Sequence, residues 1–378
     1  MRKTFKYRLF PSPAQRTAMQ NSLNACCWVY NKSLEVRKEA WEQRQENVSR
    51  YDTINMIPGW KREYPFLKDA FSQSLQETCI RLDIAFRAFF RRVQAGEKPG
   101  YPRFKSICRF DSFTYPQRGF ELLDNRRLRL SKIGDVKIKL HRPLDCECKT
   151  LTICRDSVGN WYACFSCVVE PKPLPSTDKV VGIDLGLTTF AVLSNGEKIK
   201  RQRWAKQDAK DIARLQRKKD KLPKGSVARQ KVVRSLQHAY KRQTNRRNNF
   251  AHQESRKLIN EYQFIAFENL DIANMQSRGN AVINRGIADV AWGKFVRFSQ
   301  SKAEEAGRTV VLVNPRGTTQ ECSGCGKIVP KDLSVRKHNC PHCGLSISRD
   351  YNAALNILAR GLTSLGESPK NSFVHDGE

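Results

Sequence analysis

Two Cys-x-x-Cys pairs, Cys322/Cys325 and Cys340/Cys343, are separated by 14 residues near the C-terminal end of the sequence. Four thiols at that spacing read as a tetrahedral zinc site, which fixes a knuckle of chain without a hydrophobic core of its own. His338 and His342 lie near enough to compete as ligands, but the paired cysteines suffice. Directly after the second pair, Ser348-Arg349-Asp350 opens a run with Ala353, Ala354, Leu355, Ile357 and Leu358 at helical period. A metal-bound knuckle therefore hands a carboxylate, Asp350, to the start of a helix.

With 378 residues the chain exceeds one hydrophobic core and is expected to form two or three units. Its 68 Lys and Arg against 37 Asp and Glu give a net charge of +31, so a polyanion, nucleic acid, is the leading partner. An anionic membrane surface is the alternative, and the lack of a long uncharged apolar run or a one-faced lipid-binding helix argues against it. The opening MRKTFKYRLFPSP carries no apolar core of signal-peptide length, which predicts a cytoplasmic, nucleoid-associated protein. Of the 13 cysteines, nine lie outside the zinc pattern. They fall in apolar patterns and read as reduced core thiols, with a second metal or redox site at Cys164-x-x-Cys167 as the alternative.

Residues 3–10 alternate basic and apolar, a strand pattern, and Pro11-Ser12-Pro13 starts a helix expected from Ala14 to about Gln45. A looser polar segment, broken at Pro58-Gly59 and Pro65, precedes a clear helix over 70–93 with Leu75, Cys79, Leu82 and Phe86 on its core face. Residues 110–170 change to short β-branched and aromatic runs with turns at Gly134-Asp135 and Gly159-Asn160, which predict an antiparallel sheet or barrel. If the strand at 3–10 joins it, the helical block is an insertion. Buried strands are expected at 180–185, 262–267 and 309–314, and a helix from Trp292 to Glu305. Residues 201–257 are expected to be helical, with 19 Lys and Arg against 4 Asp and Glu, an imbalance that a phosphate backbone explains better than a solvated face.

Asp184 leaves one apolar strand, Glu268 follows another, and Asp350 begins a helix. Acids gathered from such positions repel one another unless a cation intervenes. Mg²⁺ or Mn²⁺ with oxygen ligands is the natural choice, and a pair of such ions drives phosphodiester cleavage.

At these residues the chain resembles a known family. Val181-Gly182-Ile183-Asp184-Leu185-Gly186, Ala266-Phe267-Glu268-Asn269-Leu270 and Arg349-Asp350-Tyr351-Asn352-Ala353-Ala354-Leu355 are similar to the three RuvC motifs of TnpB, the transposon-encoded RNA-guided DNA nuclease related to type V CRISPR effectors. Cys322-Ser323-Gly324-Cys325-Gly326 with Cys340-Pro341-His342-Cys343-Gly344 fits that family's inserted zinc finger. Tyr7-Arg8-Leu9-Phe10-Pro11 and the helix around residues 74–82 are similar to its N-terminal region, so the resemblance spans nearly the whole chain. The family commonly has an acid two residues before the third catalytic Asp, where this chain has Ser348.

The resemblance implies an α/β fold plus a β-barrel: an RNase H-like RuvC domain with an inserted zinc finger, and a wedge barrel interrupted by a helical recognition domain. The expected boundaries are a first barrel strand at 1–12, the recognition domain at 13–105 and the rest of the barrel at 106–172. RuvC follows at 173–317, the zinc finger at 318–347, the end of RuvC at 348–362 and a disordered tail at 363–378. It further implies a guide RNA from the transposon end, cleavage of double-stranded DNA beside a short transposon-adjacent motif, and a monomer on each guide. Asp184, Glu268 and Asp350 are the expected Mg²⁺ (or Mn²⁺) ligands, and Cys322, Cys325, Cys340 and Cys343 the zinc ligands.

Base pairing reads sequence in guided systems, while the protein holds backbone and a short duplex motif. Arg81, Arg87, Arg91, Lys218, Arg242 and Arg246 are the candidates for phosphate, and Gln73 and Gln76 for base edges, since amides pair bidentately with adenine. Arg316 and Arg349 stand either to steady the scissile phosphate or to pair with the acids. A DNA-binding regulator or an accessory transposition protein without cleavage is the alternative function.

Overall fold

The computed structural model describes residues 1–278, 281–332 and 334–366. The chain divides into two compact units, with the division between Val169 and Glu170. In the first, β1 (Arg2–Phe10) is followed by the helices α1 (Pro13–Arg44), α2 (Arg50–Glu63) and α3 (Ser72–Gln94). Six strands complete it: β2 (Ser112–Tyr115), β3 (Phe120–Leu123), β4 (Arg127–Leu130), β5 (Gly134–Lys139), β6 (Glu147–Arg155) and β7 (Trp161–Val168). They form one sheet in the order β2-β6-β7-β1-β5-β4-β3, in which β1 is antiparallel to both its neighbours. The helical block is therefore an insertion between the first and second strands.

That sheet curls until its edges nearly meet. The rings of Tyr115 on β2 and Phe120 on β3 are 6.4 Å apart, and the Tyr115 hydroxyl donates to the Ser131 carbonyl at 3.0 Å. One expectation is corrected. Pro58-Gly59 does not break the chain but lies inside α2. A capping box between Ser49 and Asp52 starts that helix, and buried Thr53, Ile57 and Trp60 hold it, so packing outweighs the lost backbone bond.

The second unit begins with β8 (Val180–Leu185), β9 (Ala191–Leu193), β10 (Lys198–Ile199), α4 (Trp204–Asp220), α5 (Val227–Glu261) and β11 (Phe264–Glu268). It continues with α6 (Ile272–Arg278), α7 (Ala281–Val290), α8 (Trp292–Ala306), β12 (Thr309–Val313), the hairpin β13 (Lys337–Asn339) and β14 (Ser346–Ser348), and α9 (Arg349–Thr363). Five strands form a mixed sheet in the order β10-β9-β8-β11-β12. β8, β11 and β12 are parallel, and the continuous apolar runs of β8 and β11 suit strands buried on both faces.

The basic stretch is two helices, not one. Pro223 and Gly225 turn the chain, Ser226 caps α5, and Arg229 Nη1 donates to the carbonyls of Lys219 and Leu222, closing the end of α4. α9 continues to Thr363, one residue into the expected tail, of which residues 367–378 lie outside the described residues.

Candidate active site and zinc knuckle

Asp184 and Glu268 end two neighbouring parallel strands. Ile183 and Phe267 are register partners, and each acid is the next residue. Ligands in open α/β sheets bind at such carboxyl ends. Both acids are buried, at 9% and 8% exposure. α9 brings the third acid. It lies on β8 and β11 with no side chain between at two points: a Cβ on Gly182 would meet the Ala354 carbonyl oxygen at 2.2 Å, and one on Gly361 would meet the Ala266 Cβ at 2.7 Å. Asp350 sits one turn before Ala354, in the first turn of α9.

The charges report this convergence. Burial first, then the charges of Glu268 and Asp350, push the Asp184 carboxyl up to about 8, and Arg349 pulls it partly back. Burial also raises Glu268, opposed by a hydrogen bond from the Thr318 hydroxyl and by the charge of Arg360. Asp350 pairs with Arg349 at 3.2 Å. Among the described residues no group donates a hydrogen bond to Asp184. A buried acid made hard to ionise by two others has the donor set and the charge deficit that a hard divalent cation satisfies.

The four cysteines gather as their spacing predicts, with all four Sγ atoms within 4.8 Å of one another. The pairs Cys322–Cys343 and Cys325–Cys340 lie at 3.6 Å, close to the edge of about 3.8 Å of a tetrahedron with Zn–S bonds of about 2.3 Å. The set fits a structural zinc ion. Each half is one turn: Gly326 N–H donates to the Cys322 carbonyl at 2.8 Å and Gly344 N–H to that of Cys340 at 3.0 Å. Both glycines have positive φ, 71° and 75°. Buried His338 is bonded through Nδ1 to Lys331 and takes no place in the thiol cluster.

The knuckle is joined to the helix by a polar stripe absent from the sequence expectations. Asn352 Oδ1 accepts from the Ser323 N–H at 2.9 Å, and its Nδ2 donates to the Glu321 carbonyl at 2.7 Å. Asn356 donates to the carbonyls of Thr318 and Glu321, and Arg360 to those of Asn314 and Arg316 and to the Glu321 carboxylate. The signal was the recurrence of polar residues every four positions through an apolar run. Thr318 had no such signal. Ser348 is the N-cap residue of α9 and makes no side-chain capping bond.

The candidate nucleic-acid contacts divide by what already holds them. Arg81 donates to Ser112, Arg87 pairs with Asp83 at 2.9 Å, and Arg246 pairs with Asp208 at 2.6 Å. Gln73 is half-buried on α3, whereas Gln76, Arg91, Lys218, Arg242 and Arg316 are exposed. No helix among the described residues is long and apolar enough to cross a membrane.

Three family models match the chain. Residues 292–357 match the Cas12f1-like TNB domain, residues 164–278 a "Probable transposase" model, and residues 1–46 a "Helix-turn-helix domain". That last segment is here a strand and the single long helix α1. Two relatives carry the name "Putative RNA-guided DNA endonuclease". That of Streptomyces pristinaespiralis is 33% identical over 96% of this chain and 90% of its own length. The other, InsQ of Escherichia coli strain K12, is 30% identical over 95% and 92%. The TnpB-like protein L770 of Acanthamoeba polyphaga mimivirus is 31% identical over 60% of this chain and 46% of its own. The chain belongs to the TnpB family of transposon-encoded, RNA-guided DNA endonucleases.

Proposed function

We propose that this chain cuts double-stranded DNA at a divalent-metal site formed by Asp184, Glu268 and Asp350, guided by an RNA from the transposon end and beside a short adjacent motif. One observation carries the reading: the Asp184 carboxyl is raised to about 8, in part by the charges of Glu268 and Asp350, so three acids remote in sequence act on one another. When bound, Mg²⁺ or Mn²⁺ would supply an activated water and stabilise the leaving oxygen. The chain's own residues prepare the ground. Thr318 orients Glu268, and α9, pinned to the knuckle, sets Asp350 against the strand ends. Arg349 shares Asp350 in the free chain and is the nearest cation for a phosphate.

The mixed sheet and α9 support an RNase H-like RuvC domain holding the knuckle as its insert. The curled sheet of the first unit supports a wedge interrupted by a recognition domain, α1–α3. Exposed Arg91, Lys218 and Arg242 are assigned to phosphate, and Gln76 with Gln73 to the adjacent motif. The test is cleavage of a matched duplex by the chain purified with its co-expressed guide RNA, in Mg²⁺ and in EDTA. Cutting that needs both guide and Mg²⁺ is expected. Guide-dependent binding without cutting would instead favour a regulator.

A further inference from the structure

A cavity of about 250 Å³ opens beside Glu268 in the second unit. Aliphatic groups of Leu270, Val296 and Leu312 line it, Trp292 contributes from the start of α8, and Arg297 and Gln300 stand on the same helix. Three observations describe what it would hold. The cavity is below the roughly 300–1,000 Å³ of pockets for drug-sized ligands, so it suits one nucleobase rather than a stacked pair. Trp292 is 2% exposed, and its indole N–H is buried with no acceptor in the structure, which costs free energy until something accepts it. Arg297 and Gln300 are exposed, one a cation for a phosphate and the other an amide for a polar edge.

From this geometry we infer that the cavity is a nucleotide subsite of the nuclease, seating the base of an unpaired DNA nucleotide next to the phosphodiester held at Glu268. The inference rests on the proposed metal-dependent cleavage and names where its substrate strand is gripped. A base in such a pocket has left its duplex stack, so the pocket accepts a strand already displaced and excludes intact double helix. Its walls are aliphatic, so it recognises the presence of a base more than its identity. Arg297 on the rim fixes the backbone and with it the bond presented to the acids.

The experiment measures single-turnover cutting of matched duplexes, by the full chain with its guide RNA, with one abasic nucleotide moved through each position around the cut. In the wild-type complex, one abasic position adjoining the cut is expected to slow cleavage by about tenfold, with neighbouring positions little affected. Val296→Trp fills the cavity. It is expected to slow cutting of the unmodified target by a similar factor and to erase the abasic penalty, with target binding unchanged. Arg297→Ala, on the exposed face of α8, keeps the fold in any event and is expected to spread the cut over neighbouring bonds. A flat abasic profile in a wild-type complex that cuts normally, or a penalty undiminished by Val296→Trp, overturns the subsite. If the underlying reading is wrong, the unmodified target is not cut by the wild type at all.

Discussion

The carbonyl of Ala354 rests on Gly182 so closely that a methyl group there would meet it at 2.2 Å. The Leu358 backbone nitrogen would lie 2.5 Å from the same methyl. Both neighbours are main chain of a regular helix and cannot rotate away. Gly182→Ala is therefore expected to push α9 off β8 at about 3 kcal/mol or more, and to reduce cutting beyond what lost stability explains. Thermal melting and single-turnover cleavage at a temperature where the variant stays folded would check this. Wild-type values in both would show that the helix does not set the site.

Asp184→Asn should remove cutting, by about a thousandfold or more, while guide and target binding persist, because the basic surfaces are untouched. It should also stabilise the Mg²⁺-free chain. An acid whose folded pKa is raised binds its proton more tightly folded than unfolded. The resulting penalty is absent below its ordinary value of 3.8, grows through the window up to about 8, and is complete above it. The amide has no such penalty. Melts at pH 5 and pH 8.5 in Mg²⁺-free buffer should show a gain that is larger at the higher pH, on the order of a few kcal/mol. An equal gain at both would sink the view that Asp184 keeps a proton near neutrality.

Thr318 offers a finer probe. Its hydroxyl donates to Glu268 and lowers that carboxyl's pKa against the pull of burial. Thr318→Val keeps the shape and removes the donor, so Glu268 should ionise at higher pH. The acid limb of the cleavage pH profile is expected to move upward with the plateau less affected. A profile that drops uniformly without shifting would assign Thr318 a packing role only.

Cys322→Ser should empty the zinc site and loosen more than the knuckle. The Glu321 carbonyl receives both Asn352 and Asn356, and Ser323 bonds Asn352. Zinc content should fall from about one per chain to near zero, with a loss on the order of several kcal/mol in the second unit. Retained zinc would show that the remaining ligands close the site without Cys322.

Local chemistry was legible where residue type and spacing define it. The Cys-x-x-Cys pairs, the strand ends at Asp184 and Glu268 and the helix start at Asp350 lie where pattern predicts. Pro58 misled because burial of Ile57 and Trp60 is a tertiary effect that no local breaker rule contains. The pairings of Arg246 with Asp208 and Arg247 with Asp289 were hidden for the same reason: a charge run does not reveal which charges meet a partner from another element. Thr318 acquires its role through a hydrogen bond across 50 positions of chain.

The docking of α9 on β8 joins two of the most distant segments of the second unit, and contacts of that kind tend to form late in folding. The helices α4 and α5, with their positive surface, are local structures that need no such closure. A half-folded molecule can thus already embrace RNA while its blade is still open. Ordering of this sort would keep an unfinished enzyme from nicking the genome that encodes it.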